Sequence, residues 1–156
     1  MNSQDLRNQE QKPKKEKPEE VREVFKMVFV GKPGTGKTTW AKEHMTGGTL
    51  VYDLDYIAAA FRLEAITTTH KQARWMANDL LRGFVLKASS YGSNVIVIRT
   101  APSPDELEAI QPDRIIILTK VRGKQKVDIP DFDIKLARIQ IWAEDNNVPV
   151  KMTPPV

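Results

Sequence analysis

Cysteine is absent from all 156 residues. That absence excludes a disulfide framework, a thiol nucleophile and every cysteine-based zinc or iron–sulfur site. Only two histidines are present, His44 and His70, too few for a histidine-rich metal centre. Aromatics make up 7% of the chain. No apolar run approaches the ~18 residues of a membrane span. The N-terminus lacks the apolar core of a signal peptide, so the expected setting is soluble and cytoplasmic. What is present is a 40% hydrophobic chain with a net charge of +4. That length suits one domain, burying ~70% of the surface its unfolded chain exposes.

Residues 1–22 carry six basic and five acidic residues and few large apolar ones. Such a segment buries too little surface to offset the entropy of ordering, which predicts a disordered charged tail. A single domain is expected over 23–156. Its remaining positive charge fits an anionic ligand, with nucleic acid as one case.

From Val24 the pattern changes. Residues 24–30 form a short apolar, β-rich run, and further runs follow at 49–53, 94–99, 114–119 and 148–152. Near-continuous apolar strands suit a parallel sheet covered on both faces. Helical patterns lie between them at 37–45, 56–63, 69–89, 104–110 and 133–146, the fourth capped by Ser103. Alternating strands and helices predict right-handed crossovers and a three-layer α/β domain.

Gly31-Lys32-Pro33-Gly34-Thr35-Gly36-Lys37-Thr38 matches G-x-x-x-x-G-K-[ST] at every fixed position, between a buried strand and a helix. Glycines let the backbone curl so that its N–H groups face an anion. Lys37 is placed for the β- and γ-phosphates, and Thr38 offers a hydroxyl to Mg²⁺. Thr39 follows at the positive end of the next helix. The candidate ligands are therefore ATP and Mg²⁺. The second strand ends in Asp53 and Asp55, which point the same way if the segment stays extended. At the carboxyl end of an α/β sheet, one acid is the candidate base for an acceptor hydroxyl and the other the candidate Mg²⁺ ligand. Helix capping by Asp55 is the competing reading.

The loop with Thr39, Trp40 and Ala41, followed by Asp53-Leu54-Asp55, resembles P-loop kinases of the polynucleotide-kinase and zeta-toxin type. It is also similar to small phage-encoded ATP-binding proteins grouped with AAA-type predicted kinases. The resemblance covers roughly residues 24–119. It implies a five-stranded parallel sheet in order 2-3-1-4-5 and phosphoryl transfer from ATP–Mg²⁺ to a hydroxyl. It also implies that Asp55 is the general base. Two positions differ from that pattern. Ala58 stands where an arginine often holds the acceptor's phosphate, with Arg62 one turn on as a substitute. Arg99 stands where many relatives carry aspartate, and an arginine binds phosphate oxygens but not Mg²⁺.

Lys120, Arg122, Lys124 and Lys126 form a short basic stretch, the candidate lid, with Arg122 as its phosphate contact. A solvated basic loop is the competing reading. Trp75, Phe84 and Trp142 read as packing residues, and His44 as a partner of its helix's negative end. Arg74 and Arg82 are weaker candidates for touching substrate.

Two functions follow. One is a phosphotransferase acting on a nucleic-acid 5′ end, a nucleoside or a small hydroxyl compound, with Lys37, Asp55, Asp53 and Arg122 as its catalytic set. The other is a slow ATPase or nucleotide-gated binding module for a nucleic-acid or protein partner. No Asn-Lys-x-Asp motif supports guanine recognition.

Overall fold

Five short segments pair into a single parallel sheet, with Val and Ile dominating those at 94–99 and 114–118. The computed structural model describes residues 24–65, 70–120 and 129–153. In chain order these form β1 (Lys26–Val30), α1 (Lys37–His44), β2 (Thr49–Asp53), α2 (Leu54–Ala60) and α3 (Lys71–Ser90). There follow β3 (Asn94–Arg99), α4 (Pro104–Ile110), β4 (Arg114–Leu118), α5 (Phe132–Asp145) and β5 (Val150–Thr153). The strand order is β2-β3-β1-β4-β5, and every pairing is parallel. This is the expected order and class.

Strand periodicity divides the core. Val28, Val30, Val95, Val97, Ile115 and Ile117 bury themselves on one face, with Leu81, Leu107, Ile139 and Trp142 from the helices. Met27, Phe29, Ile96, Ile98, Ile116 and Leu118 turn to the other, against Ala41 of α1. Crossover handedness explains the unequal sharing. Only the step from β1 to β2 runs leftward in the sheet, so right-handed connections put α1 on one face and α3, α4 and α5 on the other.

Most predicted boundaries agree within one or two residues. The exception with chemical consequence is α2, which begins at Leu54 rather than 56. The Asp53 side chain accepts from the Asp55 amide at 3.1 Å, so Asp53 is the N-cap and Asp55 lies in the first turn. Capping by Asp55, and an extended Asp53–Asp55 pair, are thereby corrected. Burial of Leu54, Ala58 and Ala59 holds the early start in place. The helix also stops early, at Ala60, and Leu63 lies beyond it with positive φ and almost fully exposed.

Trp75 is a second correction. It is 60% exposed, because the buried stripe of α3 runs through Ala73, Ala77, Leu81, Val85 and Ala88. Phe84 packs on Tyr52 and Trp142 is buried, as expected. The predicted tail at 1–22 and Arg122 of the basic stretch lie outside the described residues.

Candidate nucleotide and acceptor site

The loop after β1 is shaped by close approaches. A Cβ on Gly31 would sit 2.6 Å from Thr35 Oγ1 and 2.9 Å from the Leu118 carbonyl oxygen, so only glycine fits. Gly34 and Gly36 have φ of 86° and 83°, the left-handed region glycine enters freely. Thr35 is buried, and its hydroxyl donates to the Lys32 carbonyl at 2.9 Å, tying the loop across its base. Lys32 places its ammonium over the Phe132 ring of α5, and Pro33 and Thr39 are exposed.

Lys37 opens α1 and turns its Nζ back to the Gly31 and Lys32 carbonyls, the second at 3.0 Å. An ammonium has three protons, so one remains for another acceptor. Burial lowers its pKa from 10.5 to about 8, although the charges of Asp55 and Asp53 work in the other direction. Thr38 donates to Asp53 Oδ2 at 3.3 Å. Burial raises the Asp53 pKa, and the charge of Asp55 adds to this. Hydrogen bonds from the Asp55 and Tyr56 amides and the Thr38 hydroxyl oppose it.

Thr38 and Asp53 together offer a hydroxyl and a carboxylate, the hard oxygen donors Mg²⁺ prefers. Among the described residues no cluster of three or more His, Asp or Glu stands ready for a metal. A cation held here by few protein oxygens, with phosphates and water completing its shell, is the usual Mg²⁺ arrangement.

Asp55 faces a different partner. Its Oδ1 accepts from Arg74 Nη1 at 2.9 Å, a residue of α3 nineteen positions on. Sequence reasoning placed Arg74 only among weaker candidates and offered Arg62 as the substituting arginine. Arg62 instead pairs with Glu64 on the surface at 2.9 Å. Packing through Ala58, Ala73 and Ala77 explains the difference, since small side chains let α2 and α3 approach closely.

Arg99, at the end of β3, is held by both Glu106 oxygens at 2.8 and 2.7 Å. This bidentate pair occupies the strand end and fixes the guanidinium. His44 Nδ1 meets the Trp40 carbonyl at 2.7 Å, and the imidazole stacks on the Trp40 ring, a role in α1 rather than in the site. His70 caps α3, accepting from the Ala73 amide.

A cavity of about 280 Å³ brings these groups together, lined among others by Lys37, Asp55, Arg74, Arg99 and Lys135. A second, more apolar hollow of about 290 Å³ lies between α1 and α2, with Thr38 and Asp53 on its wall. Lys37 and Asp55 therefore share one polar space, while Thr38 and Asp53 line the second hollow.

Comparison with known proteins adds to this geometry. The sequence profile of a family described as "AAA domain" matches residues 27–111, more than half of the chain. No curated protein matches the sequence. Among solved structures, the chain is similar to one in "Structure of the Pnkp1/Rnl/Hen1 RNA repair complex", with TM-score 0.53 and 15% identity. That likeness covers 83% of this chain and 48% of the other. A chain in "Structure of Pnkp1/Rnl/Hen1 complex" gives TM-score 0.51 and 17% identity over 78% and 41%. Shikimate kinase from Bacteroides thetaiotaomicron gives 0.45 and 14% over 81% and 85%. The chain thus spans less than half the length of the first two. At these identities the likeness to the first two is one of fold alone, an α/β domain with a five-stranded parallel sheet.

Proposed function

Because the chain belongs to the AAA domain family, we propose that it is an ATP–Mg²⁺-dependent phosphotransferase that moves the γ-phosphoryl group to a hydroxyl acceptor. The observation that carries this reading is the shared cavity. Transfer requires the donor phosphate and the acceptor hydroxyl to meet in one confined space, and Lys37 and Asp55 line the same one.

The loop amides and Lys37 hold the nucleotide's phosphates, with the free proton of Nζ directed to a phosphoryl oxygen. Thr38 and Asp53 hold the metal, which when bound neutralises charge on the phosphates. Asp55 accepts the hydroxyl proton and aligns the nucleophile. The Arg74 contact holds that carboxylate in one orientation. In loose phosphoryl transfer such positioning and electrostatics supply most of the rate. Arg122 belongs to this proposal as a lid contact over the phosphates. The likeness to a chain of an RNA repair complex favours a nucleic-acid end among possible acceptors. The setting we propose is the cytoplasm, where ATP is available.

One observation favours the second reading, a slow ATPase or nucleotide-gated module. Arg99, engaged by Glu106, stands where many kinases of the resembled type place an aspartate. Incubation with γ-labelled ATP and a panel of oligonucleotides, nucleosides and sugars separates the two. Label on a hydroxyl is the expected result. Free phosphate alone would sink the transferase reading in favour of the module. Lys37→Ala and Thr38→Ala each lose most ATP–Mg²⁺ affinity, and unchanged affinity in both contradicts the site assignment.

A further inference from the structure

Helix α3 buries one stripe, Ala73, Ala77, Leu81, Val85 and Ala88, against the domain. A helix on a domain surface should then be polar on its other side. Instead Trp75 and Leu86 lie there, three turns apart and 60% and 61% exposed. Met76 and Leu80 flank them and are also exposed. Between these residues stands Gly83, where an added Cβ meets nothing within 4 Å. A glycine at an open position inside a helix lowers stability and serves no contact within the domain. Apolar side chains grouped on one exposed face, unlike scattered ones, mark an interaction surface.

The charges on this face point to its occupant. Asp79 and Arg82 stand between Trp75 and Leu86, both are exposed, and neither makes an ion pair with another described residue. Asp79 follows Trp75 by four residues, and Leu86 follows Arg82 by four. The face therefore runs Trp, acid, base, Leu, and is complementary to its own reverse. An antiparallel second copy sets Trp75 against the partner's Leu86 and Asp79 against the partner's Arg82, each contact made twice about a two-fold axis. Gly83, close to that axis, lets the two backbones approach with no side chain between them. A nucleic-acid backbone does not suit the face, because Asp79 repels it near the centre. We infer that the protein forms a two-fold dimer through α3, with the helices antiparallel. One helix face from each copy is smaller than a standard interface of ~1,600 Å², so the dimer dissociates with a constant on the order of 10 μM.

Sedimentation equilibrium of the full chain from about 1 to about 300 μM reads the association. The average mass rises from monomer to dimer and stops there. Asp79→Arg and Arg82→Asp each put like charges face to face and weaken the dimer about tenfold or more. The double variant Asp79→Arg/Arg82→Asp rebuilds both ion pairs with their signs exchanged, and its affinity returns to within about threefold of the wild type. A parallel pair, in which each charge faces its own copy, does not give that recovery. Trp75→Ala and Leu86→Ala each weaken the dimer about tenfold or more. All four side chains are exposed, and thermal melts at the lowest concentration establish that the variants fold.

A mass that stays monomeric across the range overturns the dimer and leaves the face to a different protein. A dimer indifferent to all four single substitutions overturns its assignment to α3. A double variant no tighter than the single ones overturns the antiparallel register, and mass growing beyond the dimer contradicts two-fold closure. Phosphoryl transfer is decided separately, by the labelled-ATP assay.

Discussion

Lys37 keeps an ammonium where burial strips water from it, and the lowered pKa of about 8 records that cost. Bound phosphates favour the charged form and raise the pKa again. The free protein's value is then the lower of the two, so affinity is complete below pH 8 and declines as pH rises above it. We predict nucleotide affinity that is flat from pH 6.5 to about 7.5 and falls by up to tenfold per unit above about 8. Titration calorimetry across pH checks this, with proton uptake on binding near pH 9. The residual affinity of Lys37→Arg stays flat, because arginine does not deprotonate there. The loop residues were legible in sequence because their chemistry lies in eight consecutive positions. The Arg74–Asp55 contact was not, because it depends on how two helices pack.

Elements decide which of those side chains meet. The loop holds its shape because Gly31 admits Thr35 and the Leu118 carbonyl. Gly31→Ala drives a methyl group against a backbone oxygen of β4, which cannot move without disturbing the sheet. The expected outcome is at least a tenfold loss of nucleotide affinity, measured by calorimetry, with a melting temperature lower by several degrees. Tyr52 ties β2 to α3 through a hydrogen bond from its hydroxyl to the Ala77 carbonyl, and burial raises its pKa. Tyr52→Phe removes that bond at a cost of about 1 kcal/mol, read from denaturant unfolding. The three central strands came easily from sequence, because a strand buried on both faces is a nearly unbroken apolar run. The start of α2 did not. An aspartate after a strand reads equally well as its last residue or as a helix cap, and only the bond that the Asp55 amide donates to the Asp53 carboxylate decides.

At the scale of the whole molecule, the sheet carries the site. β1 lies at its centre and feeds the loop, between β3 and β4. Phe29 is fully buried on the face that α1 covers. Phe29→Ala removes a large core side chain under the loop and should cost about 3–5 kcal/mol in denaturant unfolding. A loss below about 1 kcal/mol contradicts the assignment of that face to the core. The fold class was legible because strand and helix signals alternate, and handedness then limits the arrangements. Composition said less about the site: its net charge of +4 is spread over the chain, whereas the cavity's cations come from residues on separate elements.

The most direct test of the phosphotransferase account is γ-phosphate transfer by the wild type and Asp55→Asn, beside nucleotide affinity in each. The substitution keeps the shape of the side chain but removes its capacity to take a proton. The account predicts label on a hydroxyl acceptor, a fall of a hundredfold or more in transfer rate for Asp55→Asn, and nucleotide affinity within about threefold of the wild type. Transfer at the wild-type rate by Asp55→Asn would contradict it.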